Sequence, residues 1–275
     1  MYKLLLAVAL FFSTTLLGQE LYPASEPASN MPSRSISYKL NTMYGQGMHS
    51  TRMLQRYNPE VMFGLNKNWM LHTSMSFSDM HDEKFIFESV KAYLKYRFLS
   101  IDEVHKHFRM AVFTSAAYSR NHLDHNELSL SGDHSGIQSG IIATQLWNKL
   151  AISGNFNFIS LLNPRYKDYN GQYEYDALNY SLSAGYLVLP INYTSYNQLN
   201  LNIYAELLAG KNLSHNEETY YTDLAPAIQL IFKSTSKLNI GYRFQLKSDI
   251  ERLMKSSFMI SYEHIFLNAL RKNKN

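Results

Sequence analysis

Polar and apolar residues alternate with a period of two along most of this chain. Leu150, Ile152, Phe156 and Phe158 fall on one face, and Ser153, Asn155 and Asn157 on the other. Further on, Leu178, Tyr180, Leu182, Ala184, Tyr186 and Val188 alternate with Asn179, Ser181, Ser183 and Gly185. Leu199, Leu201, Ile203, Ala205 and Leu207 alternate with Asn200, Asn202, Tyr204 and Glu206. Leu238, Ile240, Tyr242, Phe244 and Leu246 alternate with Asn239, Gly241, Arg243, Gln245 and Lys247. Side chains two apart share one face of a strand, so each stretch reads as a strand with one greasy and one polar side. The pattern predicts about twelve strands, over 34–44, 56–65, 69–79, 85–98, 108–121, 136–147, 150–162, 177–189, 198–210, 223–233, 238–248 and 255–267.

A soluble sandwich alternates in the same way, but two features favour a membrane. The predicted strands are long, whereas a usual strand has about 5–6 residues and a tilted strand needs about 9–11 to cross a bilayer. The connections also alternate. Short ones at 66–68, 100–107, 148–149, 190–197 and 234–237 interleave with mostly longer ones at 45–55, 80–84, 122–135, 163–176, 211–222 and 249–254. Outer-membrane barrels have short periplasmic turns and longer external loops. The expectation is an all-β protein, a transmembrane antiparallel up-and-down β-barrel over 34–270, with both termini periplasmic. Its last strand carries Phe258, Ile260, Tyr262 and Phe266 on one face. This is similar to the aromatic-ended closing strand that the barrel-assembly machinery recognises, although His264 interrupts the series and residues 267–275 follow it.

The start of the chain fits export. Lys3 precedes an apolar run from Leu4 to Leu17, and Gly18 offers a small residue before Gln19 and Glu20. Residues 1–18 read as a signal peptide. Residues 19–33, with Pro23, Pro27 and Pro32, read as a linker. The 275 residues include 21 Tyr and 15 Phe but only 12 Gly and no Cys, so disulfides, thiolate metal sites and a lipid-modified cysteine anchor are excluded. The net charge of +4 is mild and scattered, so nucleic acid is not an expected partner. The expected surroundings are outer-membrane lipids.

With the apolar faces turned to lipid, Lys91, Tyr93, Lys95, Arg97, Arg109, Glu206, Arg243, Lys247 and Glu263 point into the lumen. Two readings stay open. One is a basic-leaning pore that favours anions or small polar solutes. The other is a closed barrel filled by salt-bridged side chains, with a structural role or a binding role in its loops. His122, His125 and His134, with Asp124, Glu127 and Asp133, fall in a predicted external loop, and imidazole with carboxylate can bind a divalent metal. The spacing matches no metal motif, so no metal or cofactor is assigned. His81 with Asp79 and Asp82 lies in another predicted loop. A lipid hydrolase is a third reading, but His134 and Ser135 are adjacent and in a strand would face apart, so no catalytic residue is assigned.

The leader ending Leu16-Leu17-Gly18-Gln19-Glu20 is similar to those of Bacteroidetes exported proteins. Residues 131–150, which include Gly132-Asp133-His134-Ser135-Gly136 and end Gln145-Leu146-Trp147-Asn148-Lys149-Leu150, resemble a loop and hairpin of outer-membrane barrels of that phylum. The whole pattern is similar to the transporter barrels named for the meta-pathway of phenol degradation. That resemblance implies passage of small, often hydrophobic compounds, and it brings no catalytic residues.

Overall fold

The computed structural model describes residues 22–48, 52–122, 125–162, 175–192, 195, 197–213 and 219–271. The predicted signal peptide lies outside them. Twelve antiparallel strands close into one barrel. They are β1 (Ser35–Gln46), β2 (Met53–Gly64), β3 (Trp69–Ser78), β4 (Ile86–Glu103), β5 (Lys106–Ser119), β6 (Gly136–Trp147), β7 (Leu150–Leu161), β8 (Asp176–Leu189), β9 (Asn200–Asn212), β10 (Tyr220–Phe232), β11 (Ser236–Ser248) and β12 (Ser256–Phe266). Each strand pairs with its sequence neighbours, and β12 closes on β1 from Ile36 opposite Phe266 to Tyr44 opposite Phe258. Closure leaves no unpaired sheet edge, which a backbone in hydrocarbon cannot tolerate.

The alternation has the predicted sense. Leu182 is 56% exposed on the outer surface, while Ser183 beside it is fully buried. Leu40, Met75, Val112, Ile141, Phe156, Ile203 and Ile228 continue an exposed apolar belt around the barrel. Exposed Tyr38, Trp69, Trp147, Tyr186, Phe232 and Phe266 gather near the end that carries the short turns. Amphipathic rings are favoured at a membrane–water boundary. His264, which interrupts the aromatic series of β12, rests its ring on Phe266 at 4.6 Å and meets Ser236 Oγ at 2.7 Å.

Two of the short connections are tighter than expected. The segment 100–107 is mostly strand, because β4 and β5 pair as far as Glu103 opposite Lys106, leaving only Val104 and His105 to turn. His105 supplies the positive φ that so tight a turn needs. Lys237, assigned to a turn from sequence, is instead part of β11 and faces inward, 1% exposed.

A charge on the outer belt should be far more costly than a small change on the inner wall. Leu182→Arg is expected to destabilise the barrel by about 2–4 kcal/mol if it lies near the midplane. Ser183→Ala, which adds no bulk to the inner wall, should insert as wild type does. The check is the yield of heat-modifiable barrel after refolding into lipid vesicles, and equal yields for the two variants would contradict the assigned facing.

Candidate functional site

The lumen is the concave surface of this fold, and among the described residues two segments occupy it. The first is the stretch read from sequence as a linker. Residues 22–33 are no free spacer, because they run through the half of the lumen nearest the turns. Lys95 on β4, fully buried, donates to Pro27 O and Ser29 O at 2.8 Å each and lies 3.3 Å from Glu26 Oε2. Arg109 on β5 donates to Ser29 Oγ at 2.8 Å, and Thr144 on β6 accepts the Ala28 N–H at 2.9 Å. Across the barrel, the buried Glu206 carboxylate on β9 accepts the Ala24 N–H at 2.8 Å, Ser25 Oγ at 2.5 Å and Ser183 Oγ at 3.0 Å. Tyr22 packs edge-on against Tyr204 at 5.5 Å, with Ala151 and Ala227 beside it. Small side chains make this close seating possible, and Ala28 is completely buried against Tyr93, Ala111 and Ile142.

The second inserted segment is 125–135, part of the 122–135 connection expected outside but folded into the opposite end of the lumen. Leu128 and Leu130 dock on Ile159, Leu161 and Ala177. Ile159 and Leu161 are inward-facing apolar residues on β7, and the loop keeps them from water. Ionic contacts fasten the loop on two sides. Arg56 on β2 reaches Asp133 Oδ1 at 2.5 Å, Glu88 Oε2 at 3.0 Å and Ser131 O at 3.1 Å. Gly132, at φ 117°, passes so close that a Cβ there would sit 2.6 Å from the Arg56 guanidinium carbon, which requires glycine. On the far side, Glu127 lies 2.6 Å from Arg243 and 2.8 Å from Arg252, and both arginines also bind Asp223. Burial pushes the Glu127 carboxyl up, but Arg243 and Arg252 outweigh it and hold its pKa at about 2.

The nine residues predicted to face the lumen divide by height. Lys91, Tyr93, Lys95, Glu206 and Glu263 line or fill the interior, and Glu263 binds Lys237 at 3.4 Å. Arg243 anchors the inserted loop. Arg109 binds Asp102 at 3.2 Å near the turns, where Arg97 donates to Lys67 O at 2.6 Å. Lys247 stands at the loop rim, its side chain 61% exposed and bonded to the Tyr220 hydroxyl, so it does not line the lumen. The expected surplus of basic charge is largely cancelled, because Glu26, Glu88, Glu127, Asp133 and Asp223 supply partners that strand facing alone did not reveal.

The histidines regroup. His122 is exposed, while His81 from 79–85 joins His125 and His134, with ring centres 5.6 and 5.1 Å apart in sequence along the row. His81 Nε2 lies 3.0 Å from Asp133. Burial, then the neighbouring His125, lowers His134 to a pKa of about 4. No group of three or more ligands arranged to hold a metal occurs among the described residues. Ser135 Oγ accepts the Ser119 N–H at 2.8 Å and donates to Ser119 O at 3.1 Å, while His134 Nδ1 lies 3.1 Å from Ser129 O. That engages each side chain in holding the loop.

Between the two inserted segments lies a chamber of about 360 Å³ against β1, β2, β11 and β12, where Lys39, Asn58, Glu60 and Asn239 line it beside apolar Met259 and Ile260. Neither a protein-family model nor a curated protein matches the chain. Solved structures do match in fold. An outer membrane channel from Pseudomonas putida F1 superposes with a TM-score of 0.56 at 13% identity, covering 90% of this chain and 100% of that one. The NanC porin superposes with a TM-score of 0.54 at 12% identity, covering 82% and 98%. The architecture is therefore that of outer-membrane porin and channel barrels.

The cluster of Glu127, Asp223, Arg243 and Arg252 makes the inserted loop sensitive to its charges. Arg252→Gln leaves two buried carboxylates with one cation and is expected to cost about 3–5 kcal/mol. A lowered midpoint of urea unfolding checks it. Glu127 lies below its ordinary value, so its contribution is complete above about pH 4.5 and fades as pH falls towards 2. Hydrogen-exchange protection at residues 125–135, taken relative to the intrinsic rate at each pH, should be the same at about pH 5 as at neutral pH and should fall at about pH 3.

Proposed function

We propose that the protein is an outer-membrane channel of a Gram-negative bacterium that passes small polar solutes and is held narrow by its own N-terminal segment. The observation that carries this reading is the chamber between the two inserted segments. One wall carries Asn, Ser and charged side chains, with Met43, Met254, Met259 and Ile260 beside them, which suits small solutes with a polar surface. The NanC and Pseudomonas barrels support the reading through their fold.

A second reading rests on the same geometry. The inserted segments fill much of the lumen, as in a closed barrel whose role is structural. Conductance separates the two. In planar bilayers the wild-type protein is expected to show a small steady current. Lys95→Met removes the ammonium that holds Glu26, Pro27 and Ser29, and should raise the current several-fold or add long open events. Circular dichroism and heat-modifiability should stay those of a folded barrel. Silence of both proteins over a wide voltage range would favour the closed barrel.

A further inference from the structure

A second, smaller cavity opens in the wall formed by β2, β3 and β4, beside the chamber. Its volume is about 150 Å³, and Glu26, Asn41, Asn58, Glu60 and Ser131 line both spaces. An apolar cavity of about that volume accepts benzene, so the space suits a molecule of roughly six heavy atoms. This one is polar. His72 and Tyr93 stand side by side across the β3–β4 register, with ring centres 4.9 Å apart, 5% and 8% exposed. His72 Nε2, the Tyr93 hydroxyl, Asn58 Oδ1 and Glu60 Oε1 are all buried without a hydrogen-bond partner among the described residues, and all four residues line this cavity. Buried polar atoms without partners are rare in folded proteins, and four around one cavity point to a ligand that supplies them.

The charges on the lining narrow the class of that ligand. Glu26 lies 3.3 Å from Lys95, and Glu60 Oε1 lies 3.2 Å from His72 Nδ1. Among the described residues Lys91 carries no ion pair, and its hydrogen bond to Ser131 Oγ is long at 3.4 Å. Lys91 is thus a cation with no carboxylate bound to it, on a lining that also presents hydroxyls, the His72 imidazole, the Asn41 and Asn58 amides and the Glu26 and Glu60 carboxylates. We infer that the cavity is a binding site for a small hydroxylated carboxylate, with the carboxylate on Lys91 and the hydroxyls on Tyr93, His72 and Asn58. Such a solute places a charge-assisted bond on the lysine and offers both donors and acceptors to the neutral atoms. Within the proposed channel, this is a station on the solute path.

The inference rests on the channel reading for its biological use, but its test does not. The mature protein, refolded in detergent, is titrated calorimetrically with glycerate, propionate and glycerol. Glycerate is expected to bind in the millimolar range or tighter, and propionate and glycerol more weakly. Lys91→Gln should weaken glycerate by about tenfold or more. Tyr93→Phe keeps the ring and removes only an unpartnered hydroxyl, so it should weaken binding by about threefold with no loss of stability. Lys211→Gln, an exposed change away from the cavity, should leave binding unchanged. No heat with glycerate, equal binding of glycerol, or full binding by a folded Lys91→Gln barrel would each overturn the site. A barrel that conducts in bilayers yet binds no glycerate would remove the site and leave the channel, and one that binds glycerate without conducting would do the reverse.

Discussion

A lysine ammonium with no access to water must find acceptors for its three protons, and the arrangement of the lumen turns on where Lys95 finds them. Pro27 O, Ser29 O and the Glu26 carboxylate, all on the N-terminal segment, meet it. Glu206 states the opposite requirement on the far wall, a buried carboxylate that needs donors and takes them from Ala24 and Ser25. Each wall residue would be costly to bury alone, and the segment between them satisfies both. The path of residues 22–33 follows from these two demands, and the space left beside them becomes the chamber.

The same logic governs the other end. Arg56 and the pair Arg243 and Arg252 are cations that the wall neutralises only in part, through Glu88 and Asp223. The inserted loop completes them with Asp133 and Glu127. Apolar docking of Leu128 and Leu130 adds a conventional contribution. The N-terminal segment is held in the same two ways, by the polar bonds to Lys95 and Glu206 and by Tyr22, Ala28 and Met31, each packed in an apolar cluster with wall residues.

The barrel was legible because a membrane enforces alternation. Strand after strand, the lipid face is apolar, so the facing of Leu182 against Ser183, and of Lys91, Lys95, Glu206 and Glu263, could be read directly. The contents of the lumen were not, since no period marks a segment that pairs with residues far along the chain. Ala24 meets a carboxylate 182 residues away, and Arg56 an acid 77 residues away. Proline and small residues at 23–29 read as a spacer for the same reasons that let them lie close to a wall. One local signal was present. Leu128 and Leu130 alternate with Ser129 and Ser131, a buried-strand pattern in a region otherwise typical of an exposed loop. Lys237 was missed because the turn before it is one residue tighter than its polarity suggested.

Residues 22–33 sit inside the lumen, where in the proposed channel they limit passage. The chain has no cysteine, so a new pair can report on it without interference. Ser25 Oγ and Ser183 Oγ lie 2.7 Å apart, close enough for side chains at these positions to be bridged. The direct measurement is disulfide formation in the Ser25→Cys/Ser183→Cys protein, with bilayer current recorded before and after reduction. The account predicts near-complete oxidation under mild oxidant, a current held at or below the wild-type level, and more frequent open events once the bond is reduced. Two free thiols that never pair in a folded barrel, or a bridged barrel that conducts as freely as the reduced one, would contradict it.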